Sequence, residues 1–143
     1  MIRAYPETYL NDAMDNLGSM LDYAIVDLDY DPEAFFSQFL VSGVAEAFGR
    51  GNPKYVAGLS GVELASEVIY RTEGHRPTKA DSASEDKGAE YWSGWVLAYY
   101  QWYSAYSFAY LEQHGLTVTR VLAMYPTLHE ADLSKFTAVA DEI

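Results

Sequence analysis

The segment AEYWSGWVLAYYQWYSAY, residues 89–106, decides the fold class. It holds every tryptophan of the chain, Trp92, Trp95 and Trp102, and no charged residue beyond Glu90. No side of it is polar at helical spacing, and a helix that is apolar all round belongs inside a folded body. The uncharged run extends to Leu111, yet it carries Ser93, Gly94, Gln101, Ser104, Ser107 and six tyrosines. A membrane span would be richer in Leu, Ile and Val. The reading is a buried central helix followed by a turn, which requires other helices to cover it.

Those helices are written on both sides. Leu10, Ala13, Met14, Leu17, Leu21, Ala24 and Leu28 recur at steps of three and four, predicting one helix from Pro6 to about Leu28. Asp31 followed by Pro32 reads as a cap and first turn, opening a single helix that stops at Gly49. Ser60-x-x-Glu63 is a capping box and starts a helix ending near Gly74. Residues 73–88, EGHRPTKADSASEDKG, read as a mobile polar loop. After the aromatic helix, Ser107 to His114 predicts a short helix ended by Gly115, and Thr117 caps another. Pro126 reads as a break, and Thr127-x-x-Glu130 as a second capping box that opens the last helix. The expectation is an all-α, compact single domain over 1–143, a bundle of about six or seven helices around the Trp/Tyr-rich one.

The chain has 143 residues and no cysteine, so disulfides, thiolate nucleophiles and Cys-based zinc sites are excluded. The opening MIRAYPETYLNDAMDN has acids and a proline where a signal peptide needs a basic flank and an apolar run. Both features suit a cytoplasmic protein. Net charge is −12, which opposes binding to bare nucleic acid. Residues 1–49 hold nine acids and one base, so two-thirds of the excess lies in the first third of the chain.

No catalytic constellation stands out, and no cofactor is expected. GRGNPK, residues 49–54, lacks the strand and Gly-Lys-Ser/Thr of a phosphate loop and reads as a turn in which Gly49 and Gly51 take positive φ. Gly58-Leu59-Ser60-Gly61 lacks the strand and spacing of a nucleophile elbow. His129 and Asp132 stand one turn apart, a spacing able to share a metal, but no second histidine joins them and they read as first-turn polar groups. Two patterns remain as binding surfaces. Asp12, Asp15 and Asp22 form an acidic stripe opposite the leucines of the first helix, with Glu7 and Asp29 at its ends. This suits a basic protein partner, or, less directly, mimicry of DNA phosphates. Trp92, Trp95, Tyr99 and Trp102 are the alternative, the lining of a small-molecule pocket.

Three strings, GNPKYVAGLSG (51–61), LAYYQWYS (97–104) and YPTLHEADLSKF (125–136), carry a resemblance over nearly the whole chain. It resembles the N-terminal domain of a family of uncharacterised bacterial proteins. In that family such a domain is often followed by an Xre-type helix-turn-helix, and the genes often lie beside small suspected toxins. This chain ends at Ile143, where that DNA-binding domain would begin. The resemblance therefore implies an excised or stand-alone sensor, dimerisation or toxin-binding module, a homodimer being compatible with it. It implies no active-site residues.

Overall fold

A computed structural model describes residues 2–82 and 87–143. Every regular element among them is helical. There are eight α-helices: α1 Leu10–Asp22, α2 Pro32–Val41, α3 Val44–Gly49, α4 Gly61–Glu73, α5 Ala89–Ser104, α6 Phe108–Gln113, α7 Val118–Leu128 and α8 Leu133–Asp141. A 3₁₀ turn, Glu7–Tyr9, precedes α1, and wide π turns occupy Tyr23–Asp27 and Lys54–Gly58.

The tightest packing is between α1 and α5. Two glycines permit it. A Cβ on Gly94 would lie 2.6 Å from the carbonyl carbon of Leu17 and 2.8 Å from the Cα of Gly18. A Cβ on Gly18 would lie 2.8 Å from the carbonyl oxygen of Tyr91. The backbones therefore touch without side chains between them. Gly61, at the start of α4, does the same on another side of α1, where a Cβ would meet Asn16 O and Met20 N at 2.6 Å. Thus α1 is clasped by α4 and α5, while α5 also carries α7 and α8. A second cluster joins α2, α3 and α6, where Phe36, Phe39 and Phe48 gather round Phe108.

The residues of α5 divide its surroundings. Trp92 packs edge-on to Tyr125 and Phe136. Trp102 donates its indole N–H to Tyr5 O at 2.8 Å. Trp95 is only half-buried. The extended N-terminal segment lies along the end of α5, with Ala4 N–H donating to Trp102 O and Arg3 stacked over Tyr103.

The caps read from the sequence at Asp31, Ser60 and Thr117 form, and Ser107 adds another. Asp31 accepts from Ala34 N–H, Ser60 and Glu63 make both bonds of the capping box, and Ser107 and Thr117 cap α6 and α7. Other boundaries differ. The single helix expected from Asp31 to Gly49 breaks at Ser42–Gly43: Ser42 Oγ donates to Phe39 O and accepts from Val44 N–H, and Gly43 takes φ 86°. Pro126 lies inside α7 rather than breaking the chain, near the helix end where the loss of one backbone bond is small. Thr127 is consequently helical, and Asp132 caps α8 instead. Gly49 is the last residue of α3, and of the two turn glycines only Gly51 takes positive φ. Of the polar segment 73–88, residues 83–86 lie outside the described residues. Residues 79–82 are exposed but are tied to the π turn after α1. Tyr23 donates its hydroxyl to Lys79 O, Lys79 Nζ donates to Asp27 O at 2.7 Å, and Ser82 N–H donates to Asp27 Oδ2 at 3.2 Å.

No helix among the described residues is long and apolar enough to cross a membrane.

Candidate functional site

The acidic stripe is partly rearranged by the π turn after α1. Asp22 and Asp27 are five residues apart, which in an α-helix separates them by about 140°. The Leu28 N–H to Tyr23 O bond widens the turn and aligns positions five apart. Asp22 and Asp27 then share a face, and the segment docked on Asp27 brings Asp81 to them. Carboxylate oxygens of the three lie within 4.8 Å of one another, the one such acidic trio among the described residues. Burial raises the Asp22 carboxyl above its ordinary range, and the charges of Asp27, Glu90 and Asp81 raise it further against the opposing effect of Lys87.

Asp12 and Asp15 are exposed farther along α1. Asp15 accepts from the Tyr91 hydroxyl at 2.6 Å and sits 3.6 Å from Lys87 Nζ, so it also ties α1 to α5. Glu7 and Asp29 are exposed, and Asp29 adopts φ 62° as the π turn unwinds. The stripe is thus an anionic face built from α1, the docked segment and the first turn of α5. Sequence periodicity found Asp12, Asp15 and Asp22. It missed Asp27, Asp81 and Glu90, because their convergence depends on the wide turn and on a loop docking across more than fifty residues.

Of the four aromatic residues singled out for a pocket, Trp92 and Trp102 are buried and Trp95 and Tyr99 are half-buried. Trp92 packs against Tyr125 and Phe136, and Trp102 lies beside Tyr99 with ring centroids 5.8 Å apart. Tyr99 stacks on Tyr103 and lines a shallow groove of about 480 Å³ against α8, to which none of the tryptophans contributes. His129 Nδ1 pairs with Tyr125 O at 2.7 Å, and Asp132 caps α8.

Two polar centres had no motif. The first joins α2 to the start of α7. Glu33 Oε1 accepts from Thr119 N–H at 2.9 Å, and the neighbouring carboxyl is that of Glu112. Burial, then the hydrogen bond and charge of Glu33, push the Glu112 carboxyl up to about 8, against the lowering effect of Val118 N–H. Burial raises Glu33 as well, but hydrogen bonds from Glu112, Thr119 and Thr117 outweigh it and hold that carboxyl below its usual range. Two adjacent carboxyls cannot both ionise cheaply, which is why Glu112 is raised while Glu33 is lowered.

The second centre is Gln101, 2% exposed in the last turns of α5. Its Nε2 donates to Gly49 O and to Tyr106 O, both at 3.0 Å. Its Oε1 is sealed from solvent and has no hydrogen-bond partner. An unpaired buried acceptor costs about 1–3 kcal/mol. The residue forms part of the wall of a cavity of about 410 Å³ between α3, the end of α5 and α6. A lone glutamine in an aromatic helix was the only sign of it in the sequence.

Comparison with known protein families, with curated proteins and with solved structures finds no match to this chain.

Proposed function

We propose that this chain is a non-catalytic protein-interaction module of a regulatory kind, and that its anionic face receives a basic protein. The observation that carries the reading is the convergence of Asp22, Asp27 and Asp81 beside the exposed Asp12 and Asp15, with Glu90 adding to the same field. Lys79 Nζ donates to the backbone oxygen of Asp27 at 2.7 Å. A face of one sign attracts an oppositely charged protein over about a Debye length, and speeds encounter more than it deepens affinity. The role matches the one implied by the resemblance to partner-binding domains of antitoxins and regulators, whose partner would be a small basic toxin encoded nearby. Direct binding of nucleic acid by this chain is not part of the proposal, because its charge opposes the phosphate attraction that dominates such contacts.

The test is affinity capture of proteins encoded beside the gene, followed by association rates for the parent and for Asp12→Asn/Asp15→Asn/Asp22→Asn. Asparagine keeps the acceptor that Tyr91 uses at Asp15, so the fold should persist. The expected result is slower association and a flatter salt dependence for the variant, with the gap closing at about 1 M salt. Equal rates in low salt would sink the proposal.

A further inference from the structure

The first turn of α7 is held by carboxyls from two other helices. Thr117 caps its own helix by accepting from Arg120 N–H. Thr119 N–H is taken by Glu33 Oε1 of α2 at 2.9 Å, and Val118 N–H favours charge on Glu112 of α6. The two carboxyls stand within hydrogen-bond reach of each other. Glu112 Oε2 is sealed from solvent and has no hydrogen-bond partner among the described residues. An ionised carboxylate only accepts, so a proton between the two carboxyls is what satisfies this oxygen. Arg120 is the one cation of α2, α6 and α7, and its guanidinium turns to Gly115 O at 3.4 Å. Glu33 is the titratable side chain whose charge bears on Glu112. From the other elements packed on α6 and α7, Glu46 of α3 pairs with Arg50, and Glu90 of α5 bears on Asp22.

We infer that Glu33 and Glu112 form a proton latch: one proton between them closes the α6–α7 corner onto α2, and giving it up lets the corner open. A single negative charge suits the N-terminus of α7, whose free amides carry partial positive charge. A second charge beside it is opposed by the first. When the corner swings away, Glu112 reaches water and ionises in the ordinary carboxylate range, so opening releases a proton. In the closed corner the carboxyl keeps its proton up to about 8. Opening is therefore rarest in acid, becomes more frequent as pH rises, and levels off above about 8. The backbone permits a local movement: Gly115 takes φ 98° in the turn between the two helices, while Phe108 and Val121 stay anchored in the core on either side. The latch is separate from the anionic face on α1 and stands whether or not that face receives a protein.

Hydrogen exchange at the Val118 and Thr119 amides, expressed as protection factors, reads the opening directly. In the parent these factors should fall about tenfold or more between about pH 5 and 8. Glu112→Gln keeps a donor for Glu33 and an acceptor for Val118 N–H without titrating, so its factors should stay level. Glu33→Gln keeps an acceptor for Thr119 N–H but removes the neighbouring charge. The Glu112 carboxyl, followed by ¹³C NMR of its side chain, should then titrate at lower pH than in the parent. Dilute urea separates the latch from whole-chain unfolding. A local opening exposes little surface and should ignore urea, whereas amides in the middle of α5 exchange by global unfolding and should lose protection. Level factors in the parent, an equal fall in Glu112→Gln, an unmoved Glu112 titration in Glu33→Gln, or the same urea dependence at Thr119 as in α5 each overturn the proposal.

Discussion

Replacing Gly94 by alanine tests the packing on which the anionic face and the cavity both depend. Inside α5 the change should stabilise an isolated helix by about 1 kcal/mol, because alanine loses less backbone freedom than glycine. The tertiary structure predicts the opposite sign. The new methyl would lie 2.6 Å from the carbonyl carbon of Leu17 and 2.8 Å from Gly18 Cα. Carbon atoms in contact prefer about 3.5–4.0 Å, so α1 must retreat by about 1 Å. The atoms in the way are backbone, with no side-chain tip to swing aside. Overpacking of this sort costs about 3 kcal/mol at the upper end of the usual range, leaving a net loss of about 2 kcal/mol after the propensity gain. For a chain of this length that corresponds to about 8 °C in the melting temperature. The control is Gly58→Ala, an exposed turn position where the nearest atom to a Cβ is Pro53 O at 3.4 Å. Thermal unfolding followed by circular dichroism at 222 nm, with urea midpoints as a check, separates the two. The reasoning fails if Gly94→Ala melts at or above the parent. Gly18→Ala should also destabilise, and the double variant should cost less than the sum, since the first methyl already parts the helices.

Two further expectations concern single residues. The Glu112 carboxyl holds its proton up to about 8 in the folded chain, well above its unfolded value, so the folded state binds more protons between those limits. Its contribution is therefore fully present at acid pH and is lost as pH rises through about 8. Glu112→Gln keeps a donor for Glu33 and removes the titration. The parent should lose about 1–2 kcal/mol more than this variant between about pH 5 and 8 after allowance for solvent screening, and parallel urea midpoints across that range would refute the raised Glu112 carboxyl. Ala105 closes α5 in the left-handed region, at φ 63° and ψ 9°, where a Cβ is unfavourable. Ala105→Gly should raise stability by about 0.5–1 kcal/mol in the same denaturation assay, and a loss would show that its methyl group makes a packing contribution larger than the strain.

What could be read from the chain follows from the range of the forces involved. Helix class, the caps at Asp31, Ser60 and Thr117, and the stop at Gly74 are local: each needs only groups within about four positions of one another. The same local reasoning failed at Ser42–Gly43 and at Pro126, where the competing backbone conformations differ by amounts that tertiary contacts outweigh. The acidic stripe was legible as far as a straight helix carries it, through Asp12, Asp15 and Asp22. Its completion by Asp27 and Asp81 needed a wide turn and a docked loop, and neither has a periodic signature. Gly18, Gly94 and Gly61 carry no periodic signal, and only the neighbouring backbone shows why no side chain fits there. Glu33 and Glu112 lie about half the chain apart, and Gln101 is fixed in part by Gly49, 52 residues away. Composition determined that this protein buries an aromatic core among acidic helices. Tertiary structure alone decided which polar groups ended up facing one another, because burial strengthens such encounters only after the helices have met.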